Sequence, residues 1–105
     1  MIRYTTPTFT LTLPDTVDLT EATNVYAAFA MPGKGDVLRK TGTDLDVTAH
    51  QVDVFLSQEE TALFRPGTVL IQLNWTYQDG GIAKRAGSEI ATINVTPNLI
   101  NEVLT

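Results

Sequence analysis

His50 is the one histidine in the chain. It is also the one side chain whose ordinary pKa lies near neutrality. To act as a general base toward a nucleophile it would have to meet Ser57 or Ser88. Neither serine lies in a nucleophile-elbow sequence, and Ser57 has a structural explanation. Ser57-Gln58-Glu59-Glu60 carries the spacing of a helix capping box, in which serine and glutamate satisfy each other's backbone amides. His50 is therefore read as a turn residue. Asp44, Asp46 and Asp53 are the next candidates, because oxygen-rich clusters bind calcium. Asp46 stands between Leu45 and Val47 in a strand-like run, and no EF-hand-like loop is present, so solvated strand faces explain them better.

Other chemical signals are weaker. Gly33-Lys34-Gly35 lacks the spacing and the following helix of a phosphate loop. Lys84-Arg85 is a pair of charges and not a patch. Glu59 and Glu60 are adjacent on a helix, diverge by about 100°, and cannot face one reacting atom. Trp75 could stack on a sugar or a base, but it ends an alternating run and reads as core. Asn94-Val95-Thr96 fits a glycosylation sequon without an accompanying secretion signal. No cofactor and no metal are expected, and the chain reads as non-enzymatic.

Composition narrows the class. One hundred and five residues with 43% apolar content suit one domain with one core. Seven basic against twelve acidic residues give a net charge of −5. That disfavours nucleic acid and anionic membrane surfaces as partners. The chain has no cysteine, which excludes disulfides, thiolate catalysis and cysteine-ligated metal. No apolar run approaches the ~20 residues of a membrane span. The expectation is a soluble product made in the bacterial cytoplasm.

The positioning elements follow from period and punctuation. The chain is organised around residues 56–81. There the capped helix is expected over Gln58 to Phe64, with Leu63 and Phe64 facing down as a plug. Pro66 and Gly67 stop it. Thr68–Tyr77 alternates strictly, with Val69, Ile71, Leu73, Trp75 and Tyr77 on the buried face. Asp79-Gly80-Gly81 supplies a tight hairpin turn. Further strands are expected over Thr8–Leu13, Asn24–Met31, Asp36–Lys40, Leu45–Thr48 and Gln51–Leu56. A long last strand runs over Ile82–Val95, with a bulge or change of face at Gly87. About seven short strands with frequent turns indicate an all-β antiparallel sandwich over residues 1–96, immunoglobulin-like in architecture, with one short crossover helix. Thr96-Pro97 reads as a helix start, placing Leu99, Ile100, Val103 and Leu104 on one face of a short C-terminal helix over 97–105.

Apolar residues also occur where polar ones are due. Tyr26, Ala28, Ala30, Phe55 and Leu70 fall on outward faces, and the C-terminal stripe adds Leu99, Ile100, Val103 and Leu104. Contiguous exposed apolar surface marks an interface. Either the tail covers this face within the chain or another chain does.

The run Val54-Phe55-Leu56-Ser57-Gln58-Glu59-Glu60-Thr61, followed by Leu63-Phe64-Arg65-Pro66-Gly67 and by Val69 through Trp75, resembles a family. So do the closing Asp79-Gly80 and the opening Thr6 through Pro14 with Val17-Asp18-Leu19-Thr20. Together they are similar to the small immunoglobulin-like β-sandwich proteins of phages and prophages of Gram-positive bacteria, as in the N-terminal domain of baseplate upper proteins. The resemblance covers the chain to about Val95. It implies a structural role in a virion or tail assembly, with other virion or tail proteins, or further copies of the chain, as partners. It implies no functional residue, and a chain standing alone is expected to differ from a baseplate subunit in having no long downstream region. A bacterial carbohydrate- or ligand-binding sandwich is the alternative, favoured by a concave face carrying exposed Trp75 or Tyr77. A small hydrolase would require a pocket joining His50 to a serine or to two carboxylates.

Overall fold

The computed structural model describes residues 1–105. Its elements are β1 (Thr8–Thr12), β2 (Ala22–Ala30), β3 (Asp36–Thr41), β4 (Leu45–Val47), β5 (Gln51–Phe55), α1 (Gln58–Thr61), β6 (Gly67–Asp79), β7 (Ile82–Gly87) and β8 (Ala91–Val95). They form an antiparallel β-sandwich. One sheet has the order β1-β5-β4. The other has the order β3-β2-β6, and β6 then pairs with both β7 and β8.

Alternation in the sequence becomes the two sides of each sheet. Ala27, Phe29, Val69, Leu73, Val52 and Val54 are completely buried between the sheets. Val25 and Trp75 lie at the margin of the same layer. The crossover from β5 to β6 moves the chain from the first sheet to the second, and α1 lies in it. Phe64, directly after α1, packs its ring 6.0 Å from that of Phe29, which in turn lies 6.2 Å from Phe9. This tilted aromatic row bridges both sheets. Leu63, expected beside Phe64 in the plug, instead points outward and is 53% exposed.

The helix is shorter than the sequence suggests. It holds one α turn, and its end tightens through bonds from Leu63 N–H to the Glu60 carbonyl and from Phe64 N–H to the Thr61 carbonyl. That tightening carries the chain to Pro66 and turns only Phe64 inward. The capping box is complete. Glu60 N–H donates to Ser57 Oγ at 3.2 Å and Ser57 N–H donates to Glu60 Oε1 at 2.9 Å. Ser57→Ala should cost about 1 kcal/mol through loss of this cap. Urea denaturation checks it, and an unchanged midpoint would contradict the assignment.

Glu60 has a second partner. Lys40 Nζ on β3 lies 2.8 Å from both carboxylate oxygens, tying the edge of the larger sheet to α1. Burial alone would raise the Glu60 pKa. The Lys40 ammonium and the Ser57 amide and hydroxyl outweigh it and hold the group below its ordinary 4.5. A depressed carboxyl pKa contributes stability that is fully present above the unfolded value and is lost as pH falls through the folded one. Stability should therefore decline as pH is lowered through 4.5 and below, and Lys40→Met should make that decline shallower. Urea midpoints measured against pH check it; parallel profiles for the two proteins would refute it.

Two further expectations are corrected. The strand expected over Ile82–Val95 is two strands, giving eight in all. Asn74 faces Gly87 and Ile71 faces Ala91, so Ser88, Glu89 and Ile90 stand opposite only Gln72 and Leu73. One residue is in excess, which is a bulge. Ser88 fills it, with its N–H donating to the Leu73 carbonyl and its Oγ accepting from Leu73 N–H.

The second correction concerns residues 97–105, which are not helical. Thr96, expected as the helix cap, is a sheet residue. Its N–H donates to the Met1 carbonyl and its carbonyl accepts from Arg3 N–H, in a parallel bridge between Ile2 and Thr96. Asn98 Oδ1 accepts from Ile100 N–H while its Nδ2 donates to the Arg3 carbonyl. Such local bonds compete directly with a helical turn, and so short a helix has no stability of its own in water. None of the buried residues lies beyond Val95. Residues 1–96 therefore contain the whole core.

Candidate interaction surface

On the outer face of the larger sheet, register places Tyr26 beside Asn74, Ala28 beside Gln72 and Ala30 beside Leu70. Arg39 lies beside Ala28 from β3, and Arg85 beside Thr76 from β7. The two alanines on a central strand leave a trough between taller neighbours. The result is an open groove of about 600 Å³, bordered by Lys34, Asp36, Arg39, Arg85 and Ile90. Its floor is fixed by hydrogen bonds. Gln72 Nε2 donates to the Ser88 carbonyl at 2.8 Å, and Asn74 Oδ1 accepts from Arg85 Nε at 3.1 Å. Gly87 keeps this floor open, since a Cβ there would stand 3.3 Å from Asn74 Oδ1.

Of the apolar residues expected at an interface, the structure brings together Tyr26 and Leu70, which share this groove. Phe55 lies elsewhere, exposed on the smaller sheet opposite Thr8. Leu99, Ile100, Val103 and Leu104 form a third group in the tail. Leu99 is wholly exposed, and the other three are between 42% and 53% exposed. The tail is tied to α1 by a reciprocal pair: Leu104 N–H donates to Gln58 Oε1 and Gln58 Nε2 donates to the Leu104 carbonyl, both at 2.8 Å. These bonds hold the backbone and leave the apolar side chains uncovered. Ile2, Ile82 and Ile90 are also exposed without an interface signal in the sequence, and Leu63 joins them against its expected burial. For Ile90 the bulge expected at Gly87 leaves open where the alternation resumes, and so which face the residue takes.

Comparison with protein-family models, with curated proteins and with solved structures returns no match.

The residues considered for catalysis are engaged in the fold. His50 Nδ1 donates to the Val17 carbonyl at 2.6 Å. The backbone around it also holds the β1–β2 connection: Leu13 N–H donates to the His50 carbonyl and Leu19 N–H to the Ala49 carbonyl. Leu19 is thereby fixed in the core. Asp18 in that connection has its pKa lowered, first by the Thr20 hydroxyl and then by the Thr20 amide. Ser57 is the helix cap and Ser88 fills the bulge. Asp46 lies opposite Asp53, whose Oδ1 accepts from the Thr10 hydroxyl. Asp44 does not join them in a metal-binding group. Trp75 is only 8% exposed, so its indole is a wall of the core and not a platform for stacking.

Proposed function

We propose that this chain is a non-enzymatic structural interaction module of a phage or prophage, associated with a tail or baseplate and built on an immunoglobulin-like sandwich. It works by surface complementarity toward other virion or tail proteins or further copies of itself. The strand order supports the architecture. β1-β5-β4 corresponds to the B-E-D side of an immunoglobulin sandwich, and β3-β2-β6-β7 to the C′-C-F-G side. The phage assignment rests on the resemblance of residues 54–80 and of the opening strand.

The observation that carries the interaction reading is the large uncovered surface. The chain exposes 6426 Å², against ~5,800 Å² for a compact monomer of its mass. Its radius of gyration is 14.9 Å, against ~13 Å for a domain of this length. The excess includes the tail, four of whose nine residues are exposed large hydrophobics. Monomeric proteins rarely leave such groups without a partner.

Mass spectrometry of phage particles induced from a host carrying the gene tests the proposal. The expected result is this chain at a fixed stoichiometry to the tail proteins. Its expression in the cell together with its absence from purified particles would refute the assignment.

A further inference from the structure

We propose that the groove over Ala28 and Ala30 receives residues 97–105 of a second copy of this chain, joining copies head to tail. This rests on the interaction-module reading and names the partner.

Four observations converge on that occupant. The tail contributes nothing to the core of its own copy, and no tail residue lines its own groove. Its docked backbone rests on hydrogen bonds at the two ends, at Asn98 and at Leu104. The pair at Leu104 is neutral and exposed, hence weak, whereas the Asn98 bond is partly buried, so the tail can leave Gln58 while Asn98 remains as a pivot.

The lengths agree. From Leu70 to Thr76 the groove floor extends roughly 20 Å at the rise of an antiparallel strand, and the six residues Leu99–Leu104 cover nearly the same distance when extended.

The charges agree as well. Lys34, Arg39 and Arg85 border the groove against the single carboxylate of Asp36, which Arg39 engages at 2.8 Å. This is a cationic surface on a chain of net charge −5. Residues 97–105 contain Glu102 and no cation.

Finally, the floor offers what an extended backbone requires. With Gln72 Nε2 held by Ser88 and Asn74 Oδ1 held by Arg85, Gln72 Oε1 remains as an acceptor and Asn74 Nδ2 as a donor. Leu104 already pairs with the same two kinds of group on Gln58. Tyr26, Leu70 and Ile90 supply apolar contact for one alternating pair of the extended tail, Leu99 with Val103 or Ile100 with Leu104. Groove and tail are different surfaces, so the contact is heterologous and propagates into a ring or a filament.

The test is titration of a synthetic Pro97–Thr105 peptide into the 1–96 chain, followed by amide shifts in NMR. Saturable shifts at Tyr26, Ala28, Gln72 and Asn74 are expected, with a Kd below about 1 mM. Arg85→Glu should weaken binding about fivefold, the scale of a rim charge pair, and a Glu102→Lys peptide should restore it. The absence of saturable shifts, or shifts confined to Gln58 and its neighbours, would overturn the proposal.

A parallel measurement keeps the intact chain. Its self-association should be abolished by Ala28→Arg, which fills the trough, and association unaffected by that change would equally overturn the proposal. Either failure leaves the virion-module reading standing if particles contain the chain, whereas absence from particles removes that reading alone.

Discussion

Trp75→Ala is expected to lower the stability of the fold by about 3–5 kcal/mol, the cost of truncating a large aromatic in a packed core. The indole is 8% exposed and joins the cluster that includes Leu73 and Val25, its cross-strand partner on β2. The groove over Ala28 and Ala30 and a second concavity of about 650 Å³ both reach its edge, but its ring belongs to the layer between the sheets. Most domains of this size have only 5–15 kcal/mol in total, so the variant should melt far below the parent. Circular dichroism in urea is the measurement, since the chain's one tryptophan is lost. A loss under about 1 kcal/mol would place Trp75 on the surface and would revive the carbohydrate-binding alternative.

Phe64 and Leu63 should behave in opposite ways although they are neighbours. Phe64 is fully buried and completes the aromatic row with Phe29 and Phe9. Phe64→Ala should therefore cost about 3–5 kcal/mol. Leu63 points to solvent, and Leu63→Ala should stay within about 0.5 kcal/mol. Paired urea titrations decide it. Equal losses would mean that the turn after α1 inserts both side chains, contrary to its tightened geometry.

Much of the fold was legible because alternation is a strong signal where one face of a strand is buried. Val69 through Trp75 gave the central strand without ambiguity. The Ser57–Glu60 spacing located the helix, and Pro66-Gly67 located its end. Where the reading failed, a hydrogen bond outside the local pattern had intervened. Thr96-Pro97 has the form of a helix start, but Met1 and Arg3 take the Thr96 backbone into a parallel bridge. The N-terminus and residue 96 are distant in sequence, and local reasoning has no access to that pairing. The change of face beside Gly87 was legible from that glycine, whereas the excess residue at Ser88–Ile90 that divides the run into two strands depends on pairing with β6.

The surface was less legible than the core. The anomaly of Tyr26, Ala28, Ala30 and Leu70 on an outward face was visible from the sequence. That the alanines sink a groove, and that Arg39 and Arg85 border it, depends on cross-strand register among four strands. Phe55 shared the same sequence signature and lies on the other sheet, so apolar character alone did not distinguish one surface from two.

On the reading proposed above, the chain works through its exterior, and residues 97–105 of one copy complete the groove of the next. Sedimentation equilibrium of the intact chain, over a concentration range from micromolar to millimolar at low salt, tests this most directly. A mass rising with concentration above the 11.5 kDa of one chain is predicted, with the rise lost on removal of residues 97–105. A mass that stays at 11.5 kDa throughout would contradict it.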